Sequence, residues 1–303
     1  MSQRDYLSPR QLAAALGVSE SSLKRWVDKG LIQVTRTAGG HRRISRAAVY
    51  QFLRTTKTPI ANPEFLAGVI PALTAKFEPA QSVPALVDAV CQGDRQTTAA
   101  VLSRYYLDGH TMAELFDRLI RPVMQEVGHG WQTNRIAVYQ EHRATSVMLH
   151  AATELRRMVP PPAPGAPVAV GGAPPADPYL LPTMSADLVL TELGWNAVNL
   201  GALTPWNELV EASRSLGAAL VWVSLTSSAN LGETLSELRQ LAQHCERHRI
   251  TLALGGQALP SPLDASIPCA VAGHDAADIL RVAMPQSRTA NSGRFGRFDQ
   301  DES

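Results

Sequence analysis

Across 303 residues the chain has no apolar run of eighteen residues and only three cysteines, none of them close together. The first lack leaves nothing long enough to cross a membrane as a helix. The opening Met1 to Arg10 is polar and charged, without the apolar centre of a secretory signal, so a cytoplasmic location and no membrane partner are expected. Cys91, Cys245 and Cys269 are too far apart for the paired spacing of a zinc site and odd in number for a disulfide framework, so they are expected as small buried thiols. What remains, 45% hydrophobic against 18% charged residues, is a globular balance with material for two or three domains.

Charge is unevenly placed. Residues 1 to 58 hold eleven Lys and Arg against three Asp and Glu, a balance of +8, so the rest must carry −7 to give the chain its +1. A basic head on an acidic body predicts that the head meets a polyanion. In "LSPRQLAAALGVSESSLKRWVDKGLI", Ser8 is placed to cap a helix that starts with Pro9 and aligns Leu12, Ala15 and Leu16 on one face. Gly17 and Val18 turn the chain, Ser19 caps a second helix, and Leu23, Trp26 and Val27 form its apolar side. Glu20, Ser21, Lys24 and Arg25 stay outside, which makes the second helix the reading element of a helix-turn-helix. Next, "LIQVTRTAGGHRRIS" alternates, turns at Gly39-Gly40 and returns as a hairpin wing before a further helix from Ser45 or Arg46. Of Arg42 and Arg43, one is expected on phosphate and the other along the wing. Trp26, Phe52 and Leu53 read as core.

Those motifs, the wing "GGHRR" most specifically, resemble the MerR-type winged helix-turn-helix over residues 6 to 54. The resemblance implies a dimerising binder of double-stranded operator DNA that uses Ser21, Ser22, Lys24, Arg25, His41, Arg42 and Arg43.

From Pro63 to Val159 helical patterns recur without strand signals, in "FLAGVIPALT", "VPALVDAVCQG", "RQTTAAVLSRYYLDG", "MAELFDRLIRPVMQEVGHGW" and "VYQEHRATSVMLHAATELRRM". With Gly93, Gly109 and Gly130 as punctuation, this predicts an antiparallel bundle. Trp131, nine residues, then Glu141-His142 on a helix from about Ala137 to Met158 resembles the cap bundle of light-responsive, cobalamin-binding MerR regulators of the CarA/CarH type. In that family the Trp and the Glu-His pair approach the upper face of the corrin, where an adenosyl group sits.

After a Pro- and Ala-rich linker, "PPPAPGAP", strand and helix alternate: "VAVGGA", "MSADLVLTELGW", "NAVNLGAL", "PWNELVEASRSLG", "ALVWVSL", "TLSELRQLAQHCERHR", "ITLALGG", "CAVAG", "DAADILRVAM". That order predicts a doubly wound parallel sheet, a flavodoxin-like domain whose ligand lies outside the carboxyl ends of its strands. Ser224 and Thr226 can offer hydroxyls to a nucleotide tail, and Gly255 and Gly256 can let it lie against the backbone. These loops resemble the cobalamin-binding domain, so the cofactor-binding candidates are Trp131, Glu141, His142, Ser224, Thr226, Gly255 and Gly256.

The chain departs from that family at its opening loop. Where the family has D-x-H-x-x-G, with the His as lower cobalt ligand, this sequence reads Asp177-Pro178-Tyr179-Leu180-Leu181-Pro182. Tyr179 occupies the histidine's position, and a phenol with a pKa of about 10 is a poor substitute for imidazole. Pro182 would narrow the groove unless it starts a helix, where proline is welcome.

Three readings follow. The chain is a regulator, expected as a repressor and a dimer or tetramer, that senses adenosylcobalamin or another corrinoid not bound through a histidine. Alternatively it is a regulator whose sensor takes another tetrapyrrole, a haem or bilin, or only oligomerises. Third is a corrinoid methyltransferase module, which has no use for the head; no enzyme activity is expected. The expected domains are 1–58 (head), 59–80 (linker and first bundle segment), 81–160 (bundle), 161–287 (flavodoxin-like) and 288–303, a disordered tail lacking periodicity.

Overall fold

The computed structural model describes residues 6–36, 40–66, 70 and 83–287. The wing's Gly39, most of "FLAGVIPALT" and the tail from 288 lie outside the described residues. The chain divides into two compact units, Met1–Pro161 with Leu180–Glu192, and Pro162–Tyr179 with Leu193–Ser303.

The first unit opens with strand β1 (Tyr6–Leu7), helix α1 (Pro9–Leu16) and helix α2 (Glu20–Asp28). Ser8 closes a capping box with Gln11, and Ser19 accepts the Ser22 N–H at 3.1 Å, so each helix starts where its cap residue stands. Gly17, at φ +67°, ends α1 in the left-handed conformation that a side chain resists. The wing is shorter than expected. Among the described residues β2 (Thr35–Arg36) and β3 (Arg42–Ser45) pair, antiparallel, with β1 on the other side of β3; Leu31 and Ile32 stand in bends before it. Ser45 caps α3 (Arg46–Thr56), whose Phe52 ring lies 5.2 Å from Trp26, so both serve the core.

The bundle comprises α4 (Val83–Gln92), α5 (Arg95–Leu107), α6 (Met112–Leu115), α7 (Arg121–Gln132) and α8 (Val138–Arg156). A π-helical segment, Phe116–Ile120, joins α6 to α7. Pro122 follows it, lacking an N–H and crowding the carbonyl four residues back, which is the physical reason the helix widens there instead of running straight. Gly93 and Gly109 do end helices, at φ +86° and +109°. Gly130 does not. It lies inside α7, and a Cβ there would come within 2.6 Å of Ile136 Cδ1, so its role is to let the 133–137 turn close on the helix. Helix α9 (Leu180–Glu192) belongs to this unit by its packing, although in the chain it links two strands of the other.

The second unit is a sheet of β4 (Val168–Gly172), β5 (Asn196–Asn199), β6 (Leu220–Ser224), β7 (Thr251–Gly255) and β8 (Val271–Gly273), parallel throughout, in the order β5-β4-β6-β7-β8. This is the flavodoxin-like order, and the mixed helical and α/β architecture agrees with the sequence reading. Helices α10 (Trp206–Ser215), α11 (Leu231–His248) and α12 (Leu280–Ser287) complete it; α11 begins three residues before the expected Thr234. Val221, Val223, Leu252 and Leu254 face Leu209 of α10 and Leu238, Leu241 and Cys245 of α11. Each such side chain, removed from water, contributes about 1.5–3 kcal/mol. The opposite face holds Trp222, 2% exposed, against Gly171, where a Cβ would overlap the indole.

Candidate functional site

In the head, α2 exposes Ser21, Lys24 and Arg25, as its amphipathic pattern requires. Ser22 is half-buried and occupied: its hydroxyl lies 3.0 Å from that of Ser19 and accepts from Arg25 Nη2 at 3.2 Å. On β3, Ile44 is buried, so Arg42 shares the inner face and Arg43 takes the outer one. Arg42 accordingly reaches back to Asp28 at the end of α2, 3.7 Å away, and braces wing against reading helix. Arg43 is thereby the outward arginine of the pair. His41 is exposed at the start of the returning strand.

In the bundle, Trp131, Val138 and Tyr139 are all exposed large side chains around the turn from α7 to α8. The turn is held by Gly130, whose carbonyl accepts the N–H groups of Arg135 and Ile136 at 2.8 and 3.0 Å. Glu141 is positioned by Thr145, whose hydroxyl donates to Oε1 at 3.0 Å, and His142 Nε2 stands 3.5 Å from Glu141 Oε2. Val138 and Tyr139 are exposed neighbours that were not among the binding candidates; two large apolar residues opening the helix, three and two positions before Glu141, were the available signal.

In the sheet unit, successive connections leave β4 toward β5 on one side and reach β6 on the other, so the crevice of a doubly wound sheet opens at the carboxyl ends of β4 and β6. Asp177, 1% exposed, sits there. Its carboxylate accepts the Tyr179 N–H at 3.0 Å, the Ser227 N–H at 3.0 Å and, in a shorter bond, the Thr226 N–H. One buried carboxylate therefore stitches the loop after β4 to the loop after β6. Sequence reasoning placed Asp177 in the altered motif but gave it no role; the Asp-Pro-Tyr turn, in which an aspartate side chain bonds the N–H two residues on, was the legible signal.

Around this clamp, Ser224, Gly255 and Gly273 are register neighbours across β6, β7 and β8, a row of small residues at the strand ends. A Cβ on Gly255 would meet nothing closer than Gly273 O at 3.6 Å. Gly256 is different: at φ +112°, with a Cβ that would overlap the Leu225 carbonyl, the meeting of two backbones by itself requires glycine there. Thr226 Oγ1 is buried with no hydrogen-bond partner, a donor and acceptor left unmatched beside the crevice.

Tyr179 is 54% exposed beside the clamp. Helix α9 begins at Leu180, four residues before the expected Met184, so Pro182 stands in its first turn, where the missing N–H costs nothing. No group of three His, Cys, Asp or Glu residues among those described could hold a metal ion. Ser224 and Thr226 carry hydroxyls that a nucleotide-like tail could bond, and Tyr179, a poorer metal donor than imidazole, stands at the position where the resemblance expects the lower cobalt ligand. Cys91 and Cys245 are buried and Cys269 is half-buried, all free thiols; burial pushes the Cys245 thiol up to about 12. No described helix is long and apolar enough to cross a membrane.

Comparison with known families matches residues 84–156 to "B12 binding domain" and residues 6–57 to "Helix-turn-helix domain". Among solved structures, the monomethylamine corrinoid protein of Methanosarcina barkeri shares the fold at 17% identity, with 66% of this chain and 95% of that one covered and a TM-score of 0.52. A cobalamin-binding protein from Desulfitobacterium hafniense is also similar, at 14% identity over 68% of this chain and 98% of its own, with a TM-score of 0.36. No curated protein matches the chain in sequence.

Proposed function

We propose that this protein is a DNA-binding regulator whose second half senses a corrinoid held without a histidine ligand. The observation that carries the reading is the joining, in one chain, of a helix-turn-helix match and a B12-binding match to a sheet whose switch-point crevice holds the unmatched Thr226 hydroxyl. In the head, Ser21, Lys24 and Arg25 read base edges and Arg43 contacts phosphate, with Arg42 bracing the wing. In the sheet unit, Ser224, Thr226 and Gly255 receive the ligand's tail. In the helical unit, Trp131, Glu141 and His142 are the ligand contacts that the resemblance to the corrinoid cap bundle supports, with the exposed Val138 and Tyr139 beside them.

A bound adenosylcobalamin supplies a cobalt–carbon bond that light can break. By its resemblance to light-responsive regulators, the protein is a repressor that acts as a homo-oligomer and changes DNA occupancy when that ligand is altered. The protein's own part is to hold the tail and to keep the loop at Asp177 in one conformation.

The test is spectral. Protein mixed in the dark with adenosylcobalamin and passed through gel filtration should elute with corrin absorbance, and Thr226→Val should lower the amount retained. A colourless protein peak would overturn the corrinoid reading. Tyr179 and the stitched loop favour a second reading, a sensor that has exchanged cobalamin for another tetrapyrrole or for oligomerisation alone; a protein coloured by haem or bilin as purified would establish it.

A further inference from the structure

Helix α9 starts one residue after Tyr179 and ends on Glu192, so its thirteen residues run about 18 Å from the crevice loop to the other end of the helix. At that end Glu192 is doubly committed. Its Oε1 accepts from Arg54 Nη1 at 3.0 Å and its Oε2 from the Met112 N–H at 2.8 Å. Arg54 belongs to α3, the last helix of the DNA-binding head, and is itself fully engaged. Its Nη2 donates to Gly109 O at 3.3 Å, and its guanidinium lies 3.9 Å from the centre of the Tyr106 ring. Both side chains of the pair are only 18% exposed.

A carboxylate at the C-terminus of its own helix faces the negative end of the helix dipole, so Glu192 gains nothing from its position in α9. Its stabilisation comes from the head and from the start of α6. Burial of Tyr106, with Glu192 beside it, raises the phenol to about 12, so the ring stays neutral beneath Arg54. A second contact ties the same head helix to the bundle, Arg46 to Glu154 at 2.7 Å, with Tyr50 buried beside it.

We propose that Glu192 is a positioning residue through which the state of the 177–182 loop reaches the DNA-binding head. A helix is stiff along its axis, so a shift of its first turn moves Glu192 relative to Arg54 and Met112. The pair therefore reports the loop to α3. This rests on reading the loop as the ligand loop, but the coupling belongs to the protein and can be tested without ligand.

The experiment is hydrogen exchange on the full chain, reading the amides of 46–56, in wild type, Asp177→Asn, Glu192→Gln and the double variant. Asp177→Asn acts at the loop, and exchange in 46–56, taken relative to that of 138–156 so that a general loss of stability cancels, should rise by about threefold or more, while in the Glu192→Gln background the same change should add nothing. A merely structural Glu192 would give independent, multiplicative effects, and that result overturns the proposal, as does an Asp177→Asn protein whose head exchanges at the wild-type rate. If Asp177→Asn does not fold, Pro182→Gly in the first turn of α9 replaces it and is read the same way. Corrin retention by wild-type protein is scored separately: its absence overturns the corrinoid reading, whereas the exchange cycle decides the role of Glu192.

Discussion

Asp177→Asn provides a quantitative test of the clamp. Asparagine keeps one carbonyl oxygen, which can continue to receive the Tyr179 N–H, but it turns an NH2 group toward the N–H donors of Thr226 and Ser227. Hydrogen bonds to a charged acceptor are worth about 1.5–3 kcal/mol each, so loss of two sets an upper bound of roughly 3–6 kcal/mol. Thr226 and Ser227 are half-exposed, and water recovers part of what their N–H groups lose. The expected net loss is therefore about 2 kcal/mol, which for a unit of this size lowers the unfolding midpoint by roughly 8 °C. Urea titration followed by the fluorescence of Trp195 and Trp222, both buried in the sheet unit, reads it directly. A loss of less than about 0.5 kcal/mol would show that the carboxylate does not hold the two loops together, and the switch-point clamp would have to be abandoned.

The two neighbouring glycines should behave differently. Gly256→Ala forces a side chain into the Leu225 carbonyl and should cost roughly 2–4 kcal/mol in the same titration, whereas Gly255→Ala should fold normally and lower corrin retention. In the head, Arg43→Ala should reduce the slope of log affinity against log salt by about 0.9 on a selected duplex. Arg42→Ala, which frees Asp28 instead, should weaken binding with a smaller change of slope. His244, 3% exposed beside Ser213, is held below the usual imidazole range first by burial and then by His248, Arg214 and Arg247. A histidine with a lowered folded pKa binds more protons unfolded, so its stability contribution is full above about 6.5 and is lost as pH falls below that value. The urea midpoint should therefore drop on acidification from pH 7 to 5.5, and His244→Gln should flatten the drop, while His248→Gln, which removes a lesser cause and leaves the burial, should only reduce it.

Those parts of the protein that depend on neighbours along the chain were legible from the order of its residues. Ser8 and Ser19 cap the helices they were expected to cap, and the third helix starts at Arg46, one of its two expected positions, because a cap bond spans three residues. The wing pairs through adjacent strands, and the alternation of "ALVWVSL" and "ITLALGG" with helices dictated a parallel sheet, since parallel strands require crossovers. Pro182 was legible as either an obstruction or a helix start, and tertiary structure decided for the start by beginning α9 inside the altered motif. Tertiary structure alone also decided that Gly130 sits within a helix, that Gly256 answers to Leu225, and that Asp177 joins loops forty-nine and fifty residues away. Above all it decided that Glu192, an ordinary acid at the end of an ordinary helix, meets Arg54 across 138 residues of sequence. Such pairings depend on where the chain returns in space, and no local pattern of residue types records that.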